Sequence, residues 1–231
     1  HDIPEGELHW SVSSNIPPRQ GLKSSAAISV AALRALADAT SKELANSDIV
    51  DMAAKAQLAA GVSLTGSVDD AWAAAEGGWK LVDPNLPAAE GIILEGAGPQ
   101  TDDWDILILV RGERKELPDY ETFAWHQQGF QQALSALEEG NELVAVTWNG
   151  RSMVSVLNDM IGRRLTNDAF VNGARASGIT GSGPAIVVFS PAVSKPTLER
   201  LKMWYTSRQK DVEVIETKVL NAKSLQTNEV V

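Results

Sequence analysis

The sequence predicts an α+β protein, and three observations carry that prediction. Alanine- and leucine-rich stretches at helical spacing fill residues 24–39, 47–60 and the segment after Ser67. Apolar runs between turn residues read as strands around 91–94 and 104–111. The chain then closes with a helix, a strand, a helix and a last strand. Its 231 residues are enough for one large domain or two small ones, with a sizeable core.

Taken in order, residues 7–14 (Glu-Leu-His-Trp-Ser-Val-Ser-Ser) alternate roughly and read as a strand. A loop rich in proline and glycine leads into the helix 24–39, which opens on serine, a residue whose oxygen accepts from an unpaired backbone N–H. The helix 47–60 has Ser47 as its expected cap and Gly61 as its stop. A third helix follows Ser67 and ends at Gly77-Gly78. The charged segment 111–118 ends in proline and is the expected domain boundary, giving domains 1–117 and 118–231. Beyond it the pattern predicts helices at 119–140, 142–158 and 166–177. A glycine-rich turn, a strand at 185–190, a helix at 196–209 and a strand at 212–219 complete the chain.

Composition removes several classes of function. Thirty acidic residues against twenty basic ones leave a net charge of −10, which argues against nucleic acid as the main partner because the phosphate backbone requires clustered Lys and Arg. Without cysteine there is no disulfide framework, thiolate zinc site, iron–sulfur cluster or cysteine nucleophile. The three histidines, His1, His9 and His126, are scattered. No apolar run approaches the ~20 residues of a transmembrane helix, and the first residues lack the basic and apolar regions of a signal peptide. The expectation is a cytoplasmic protein without a membrane partner.

Three stretches carry chemistry. The first is Pro17-Pro18-Arg19-Gln20-Gly21-Leu22-Lys23-Ser24-Ser25-Ala26-Ala27. A helix start presents unpaired N–H groups and the positive end of its dipole, which suits an anion. Gly21 lets backbone come close to a polyphosphate, and Ala26 and Ala27 keep the helix start uncrowded. Arg19 and Lys23 add full positive charge, while Ser24 and Ser25 offer hydroxyls to phosphate or magnesium. The spacing is not that of a Walker A loop, and an ordinary capped helix after a turn fits the same residues.

The second stretch, Leu64-Thr65-Gly66-Ser67-Val68-Asp69-Asp70, places two carboxylates at a helix start. They are either solvated first-turn residues favoured by the dipole, or a base for a substrate hydroxyl beside a ligand for magnesium or substrate. The third, Gly178-Ile179-Thr180-Gly181-Ser182-Gly183-Pro184, is a tight turn or a close approach of backbone to a ligand.

In combination these stretches resemble the GHMP kinases, the family of galactokinase, homoserine kinase and mevalonate kinase. Pro-x3-Gly-Leu-x-Ser-Ser-Ala resembles its second signature, and Gly-x-Thr-Gly-x-Gly-Pro its third. Thr-Gly-x-x-Asp-Asp, then a helix ending in Gly-Gly, is similar to the archaeal-type shikimate kinases of that family. The resemblance implies a two-domain fold, its N-terminal part like ribosomal protein S5 domain 2 and its C-terminal part ferredoxin-like. It also implies ATP held by Pro17, Arg19 and the run from Gly21 to Ala27, with Mg²⁺ at Ser25 and Asp69. Asp70 or Asp69 would be catalytic, the spacing to Gly77-Gly78 favouring Asp70. Thr65, Thr180, Gly181, Ser182 and Gly183 would lie near the substrate. The implied reaction is transfer of the γ-phosphoryl group of ATP to shikimate, in a monomer or homodimer. The alternatives are homoserine kinase, another small-molecule kinase of the family, or an inactive fragment that keeps the fold. The family's first signature is not seen, so a member lacking its N-terminal strands is expected.

Overall fold

The computed structural model describes residues 9–63, 65–114, 118–209 and 211–222, and mixes helices with antiparallel sheet. It divides into two compact units. Lys23–Ala97, with residues 9–16 and Ala222, form the first. Pro17–Leu22 and Gly98–Asn221 form the second.

The first unit is built on α1 (Ser24–Ala39), α2 (Asn46–Ala59) and α3 (Asp69–Ala75), followed by the antiparallel hairpin β1 (Trp79–Val82) and β2 (Ile92–Gly96). Each helix packs on the other two. Fully buried Ala26, Ala53 and Ala71 hold little volume, so the helix backbones approach closely around Val30, Ile49, Val50 and Trp72. Gly61 ends α2 as expected. Its φ of +66° is open to glycine at little cost, and N–H groups of Gly61 and Val62 turn back to the carbonyls of Leu58 and Gln57.

The second unit carries β3 (Trp104–Val110), α4 (Tyr120–Trp125), α5 (Gln127–Glu138), α6 (Glu142–Val156) and α7 (Met160–Val171). The strands β4 (Ala176–Ile179), β5 (Ile186–Pro191) and β6 (Glu213–Thr217) follow, with α8 (Lys195–Arg208) between the last two. The four strands form one antiparallel sheet in the order β4-β5-β3-β6. Because strand residues alternate between faces, Leu107 and Leu109 of β3 join a core with Leu165, Ile186, Leu201 and Tyr205. Ile106 joins Ala176 and Phe189 instead. Burial of both faces explains the nearly unbroken apolar run of β3.

Several expectations are corrected. Residues 9–14 are exposed and form no strand; residues 7 and 8 lie outside the described residues. The serine caps at 24 and 47 do not form, for Lys23 and Ala45 occupy the two cap positions and neither helix start carries a side-chain cap bond. The helix expected at 119–140 breaks at His126. The helix expected at 166–177 begins at Met160, capped by the Asp159 carboxylate, and stops at Val171. Gly173, at φ +97°, turns the chain, and residues 176–179 pair with β5. The hairpin strand β1 was not expected. β3, placed in the N-terminal domain by a boundary at 117, lies inside the sheet of the second unit; residues 115–117 themselves lie outside the described residues. No helix among the described residues is long and apolar enough to cross a membrane.

Candidate active site

In the first unit the start of α1 meets the start of α3. Lys23 takes a left-handed backbone conformation, φ 61° and ψ 32°, immediately before the helix. Its Nζ lies 2.5 Å from Oδ1 of Asp70. Ser25 Oγ donates to Oε1 of Gln57 at 3.1 Å, and Gln57, buried in α2, anchors itself by donating to the Ala53 carbonyl at 3.3 Å. Ser24 is the first helical residue, Ala26 is buried and Ala27 closes the first turn by donating to the Lys23 carbonyl.

The two aspartates differ. Asp69 is exposed, whereas Asp70 is half-buried. Burial pushes the Asp70 carboxyl above its ordinary range, Lys23 pulls it down, and the neighbouring Asp69 charge pushes it up, leaving it raised. Ser67 comes no nearer to capping α3 than an Asp69 N–H at 3.5 Å from its Oγ. Thr65 is exposed, and its Oγ1 accepts from the Ser67 N–H at 3.2 Å, a local turn. Leu64 lies outside the described residues.

In the second unit residues 17–22 meet the glycine turn. The Gln20 carbonyl accepts from the N–H of Ala185 at 3.0 Å and from the Thr180 hydroxyl at 3.4 Å. Gly183 N–H donates to the Thr180 carbonyl at 2.8 Å. A Cβ on Gly21 would stand 2.2 Å from the Thr180 oxygen and 2.7 Å from the Gly183 nitrogen. The close approach expected of Gly21 is therefore an approach to the turn that holds Gly181 and Ser182. Pro17, Arg19 and Leu22 belong to the same unit. With φ at +74° as well, Gly21→Ala should cost ~2–4 kcal/mol, from left-handed strain and overpacking together. Chemical denaturation reads this directly. A loss below ~0.5 kcal/mol would mean that the turn moves aside.

Two further residues bond to the glycine turn and belong to none of the three motifs. Arg111 donates through Nε to the Pro184 carbonyl at 2.7 Å and grips both oxygens of Asp159. Arg114 donates to the hydroxyl of Ser182, and its backbone N–H donates to the Arg19 carbonyl at 2.9 Å. Burial, and then the charge of Arg19, pull the Arg114 guanidinium below its ordinary range. Their signal was the Arg-x-x-Arg step directly after β3, hidden in a segment that reads as a charged linker.

Magnesium bound with a nucleotide keeps most of its ligands from phosphate and water and takes only one or two from protein. Among the described residues no group of three or more His, Asp or Glu is arranged to cage a metal. Ser25 and Asp69 still fit the smaller role: the Ser25 proton is committed to Gln57, which leaves its oxygen lone pairs for a cation, and Asp69 is exposed.

The comparisons with known proteins point in one direction. Residues 2–78 match the GHMP kinases N terminal domain. The chain is 31% identical over 189 residues to the shikimate kinase of Methanothermobacter thermautotrophicus, covering 77% of this chain and 61% of that protein. It is 26% identical over 221 residues to the shikimate kinase of Methanococcoides burtonii, covering 90% and 69%. In fold it is similar to a homoserine kinase from Cytophaga hutchinsonii (TM-score 0.64, 19% identity, 90% of this chain and 69% of that one). The Methanococcus jannaschii mevalonate kinase is similar too (TM-score 0.65, 15% identity, 90% and 67%). The fold is that of the GHMP kinases, and the sequence match to that family's N-terminal domain covers residues 2–78. It spans about three fifths of the length of the first of these relatives.

Proposed function

We propose that this protein transfers the γ-phosphoryl group of ATP to a hydroxyl of a small molecule, and that the acceptor is shikimate. The observation that supports transfer most directly is the ion pair between Lys23 of the loop 17–27 and Asp70 of the aspartate pair. Two motifs distant in sequence, one suited to phosphate and one to proton transfer, meet through it.

In this reading the N-terminus of α1 receives the ATP phosphates through its backbone N–H groups, with Arg19 and Lys23 adding charge. Ser25 and Asp69 hold Mg²⁺, which when bound neutralises charge on the β- and γ-phosphates. Asp70 accepts or orients the proton of the acceptor hydroxyl, and Lys23 favours its charged form. Thr65, Thr180, Gly181, Ser182 and Gly183 line the substrate. A cytoplasmic monomer or homodimer belongs to the same proposal.

The choice of shikimate is supported by relatives of that name at 26–31% identity over most of the chain, and by the Thr-Gly-x-x-Asp-Asp segment. Coupled ADP release with shikimate, homoserine and mevalonate in turn tests it. Turnover should be highest with shikimate. Preference for homoserine would overturn the substrate, and no ADP release with any acceptor would overturn transfer itself.

A further inference from the structure

We propose that Gln20 is a positioning residue for nucleotide binding: it acts on the loop 17–27, and not on the nucleotide, by holding residues 19–23 in a strained backbone shape. The inference rests on the phosphotransfer reading above and deepens it. That reading gives backbone N–H groups of the loop to the ATP phosphates, so the shape of the loop sets the affinity.

The loop is wound against the preference of its residues. Arg19, Gly21 and Lys23 have φ of 54°, 74° and 61°, so every second residue is left-handed. Among the described residues four that are not glycine have positive φ, and Arg19 and Lys23 are two of them. A side chain costs free energy in that region, and such residues persist where their surroundings fix them. At one end the Lys23 carbonyl is taken into the first turn of α1 by the Ala27 N–H. The other end has to be fixed by what it touches.

Gln20 supplies that fixing. Glutamine is seldom fully buried without partners, yet this one is only 2% exposed. Its Oε1 accepts from the Arg111 N–H at 3.4 Å. Its carbonyl accepts from the Ala185 N–H at 3.0 Å and from the Thr180 hydroxyl at 3.4 Å. The side chain thus reaches the segment after β3, and the backbone reaches the glycine turn. Those two anchors are themselves joined, because the Arg111 guanidinium bonds to the Pro184 carbonyl and to Asp159. The neighbours of Gln20 follow it. The Arg19 carbonyl accepts from the Arg114 N–H at 2.9 Å, and Gly21 lies against Thr180 and Gly183. Gln20 therefore closes a ring of contacts, all within the second unit, in the middle of the strained stretch.

Gln20→Met keeps the bulk of the side chain and removes the accepting oxygen. On the full chain, calorimetry with magnesium and a non-hydrolysable ATP analogue should show affinity about 10-fold weaker, the weight of one hydrogen bond. The KM for ATP should rise by the same factor while kcat stays within about 2-fold, since a loop that binds ground and transition state alike shifts binding and not turnover. Trypsin gives a reading that needs no acceptor: cleavage after Lys23 should be faster in the variant, because the loop opens more often. Val188→Ala, a core truncation away from the loop, should lower the melting temperature and leave nucleotide affinity and cleavage after Lys23 unchanged. If Gln20→Met does not fold, Gln20→Asn, whose shorter side chain draws the oxygen away from Arg111, is read in the same way. Wild-type affinity for the analogue in the variant, or an equal loss in Val188→Ala, would overturn the assignment. A fall in kcat with the KM for ATP unchanged would overturn it too. Failure of the wild type itself to bind the analogue would overturn the phosphotransfer reading and this inference with it.

Discussion

Asp70→Asn should lower turnover by at least ~10²-fold and leave the KM for ATP nearly unchanged. General-base assistance is worth ~10²–10⁴ in rate, or ~3–5 kcal/mol of barrier, and a group acting only in the transition state shows itself in kcat. Stability should move the other way. Burial, opposed by Lys23 and reinforced by Asp69, raises the Asp70 carboxyl above its unfolded value. The folded chain thus holds its proton more tightly than the unfolded one, and stability falls as pH rises through that interval. Above that interval the whole penalty is present, and asparagine removes it. Lys23 loses its partner, but at 37% side-chain exposure it is rehydrated at small cost. A melting temperature equal to or above that of the wild type, beside a crippled turnover, separates a catalytic group from a structural one. Asp69→Asn should change stability by only a few tenths of a kcal/mol, as expected of an exposed first-turn carboxylate, while raising the magnesium requirement. Near-wild-type turnover in both variants would sink the assignment of the pair.

Legibility in the sequence followed the range of the interaction. Gly61 was readable as a helix stop because its left-handed conformation is a local demand. At the α1 start two serines suggest a side-chain cap, whereas the backbone turns at Lys23 and no side-chain cap bond forms. Ala176–Ile179, Ala-Ser-Gly-Ile, has little strand character of its own and is a strand because β5 pairs with it. His126 interrupts a segment whose one internal glycine, Gly129, lies within α5 and not at the break, so the split between α4 and α5 has no local signal.

The candidate site divides along the same line. Its glycines, serines and aspartates stand out as motifs, yet what each touches did not. Gly21 stands out as a place of close backbone approach, but that Thr180 and Gly183 make such an approach is not legible in the motif. Lys23 stands out as a charge in the loop, but the reach of its amine to Asp70 is not legible there. Gln20 and Gln57, both nearly fully buried, belong to no motif and fix residues that do. Pairings of this kind depend on the folded chain and leave no mark in local composition.

Arg111→Met should cost about 3 kcal/mol of stability at neutral pH, the lower end of the ~3–5 kcal/mol for removing one partner of a buried ion pair. The low end applies because Asp159 remains 18% exposed and keeps its bond from the Gly162 N–H at 2.7 Å. The pH dependence carries the sharper test. Burial alone would push the Asp159 carboxyl up; the Arg111 bond, then the N–H groups of Gly162 and Ile161, outweigh it and hold it below its ordinary range. In the wild type that stabilisation is fully present above the unfolded value of ~3.9 and fades as pH falls through the lower folded value. In Arg111→Met the largest opposing influence is gone, burial moves the carboxyl upward, and acidification relieves the penalty by protonating it. The gap between the two proteins should therefore be widest near pH 7 and close towards pH 4, as read by denaturant unfolding at each pH. Asp159→Asn in the Arg111→Met background should recover part of the loss at pH 7, because it removes the stranded charge while its side-chain oxygen can still accept from Gly162. A gap that stays constant with pH would mean that the cost comes from the lost Pro184 contact and packing, and not from the charge of Asp159.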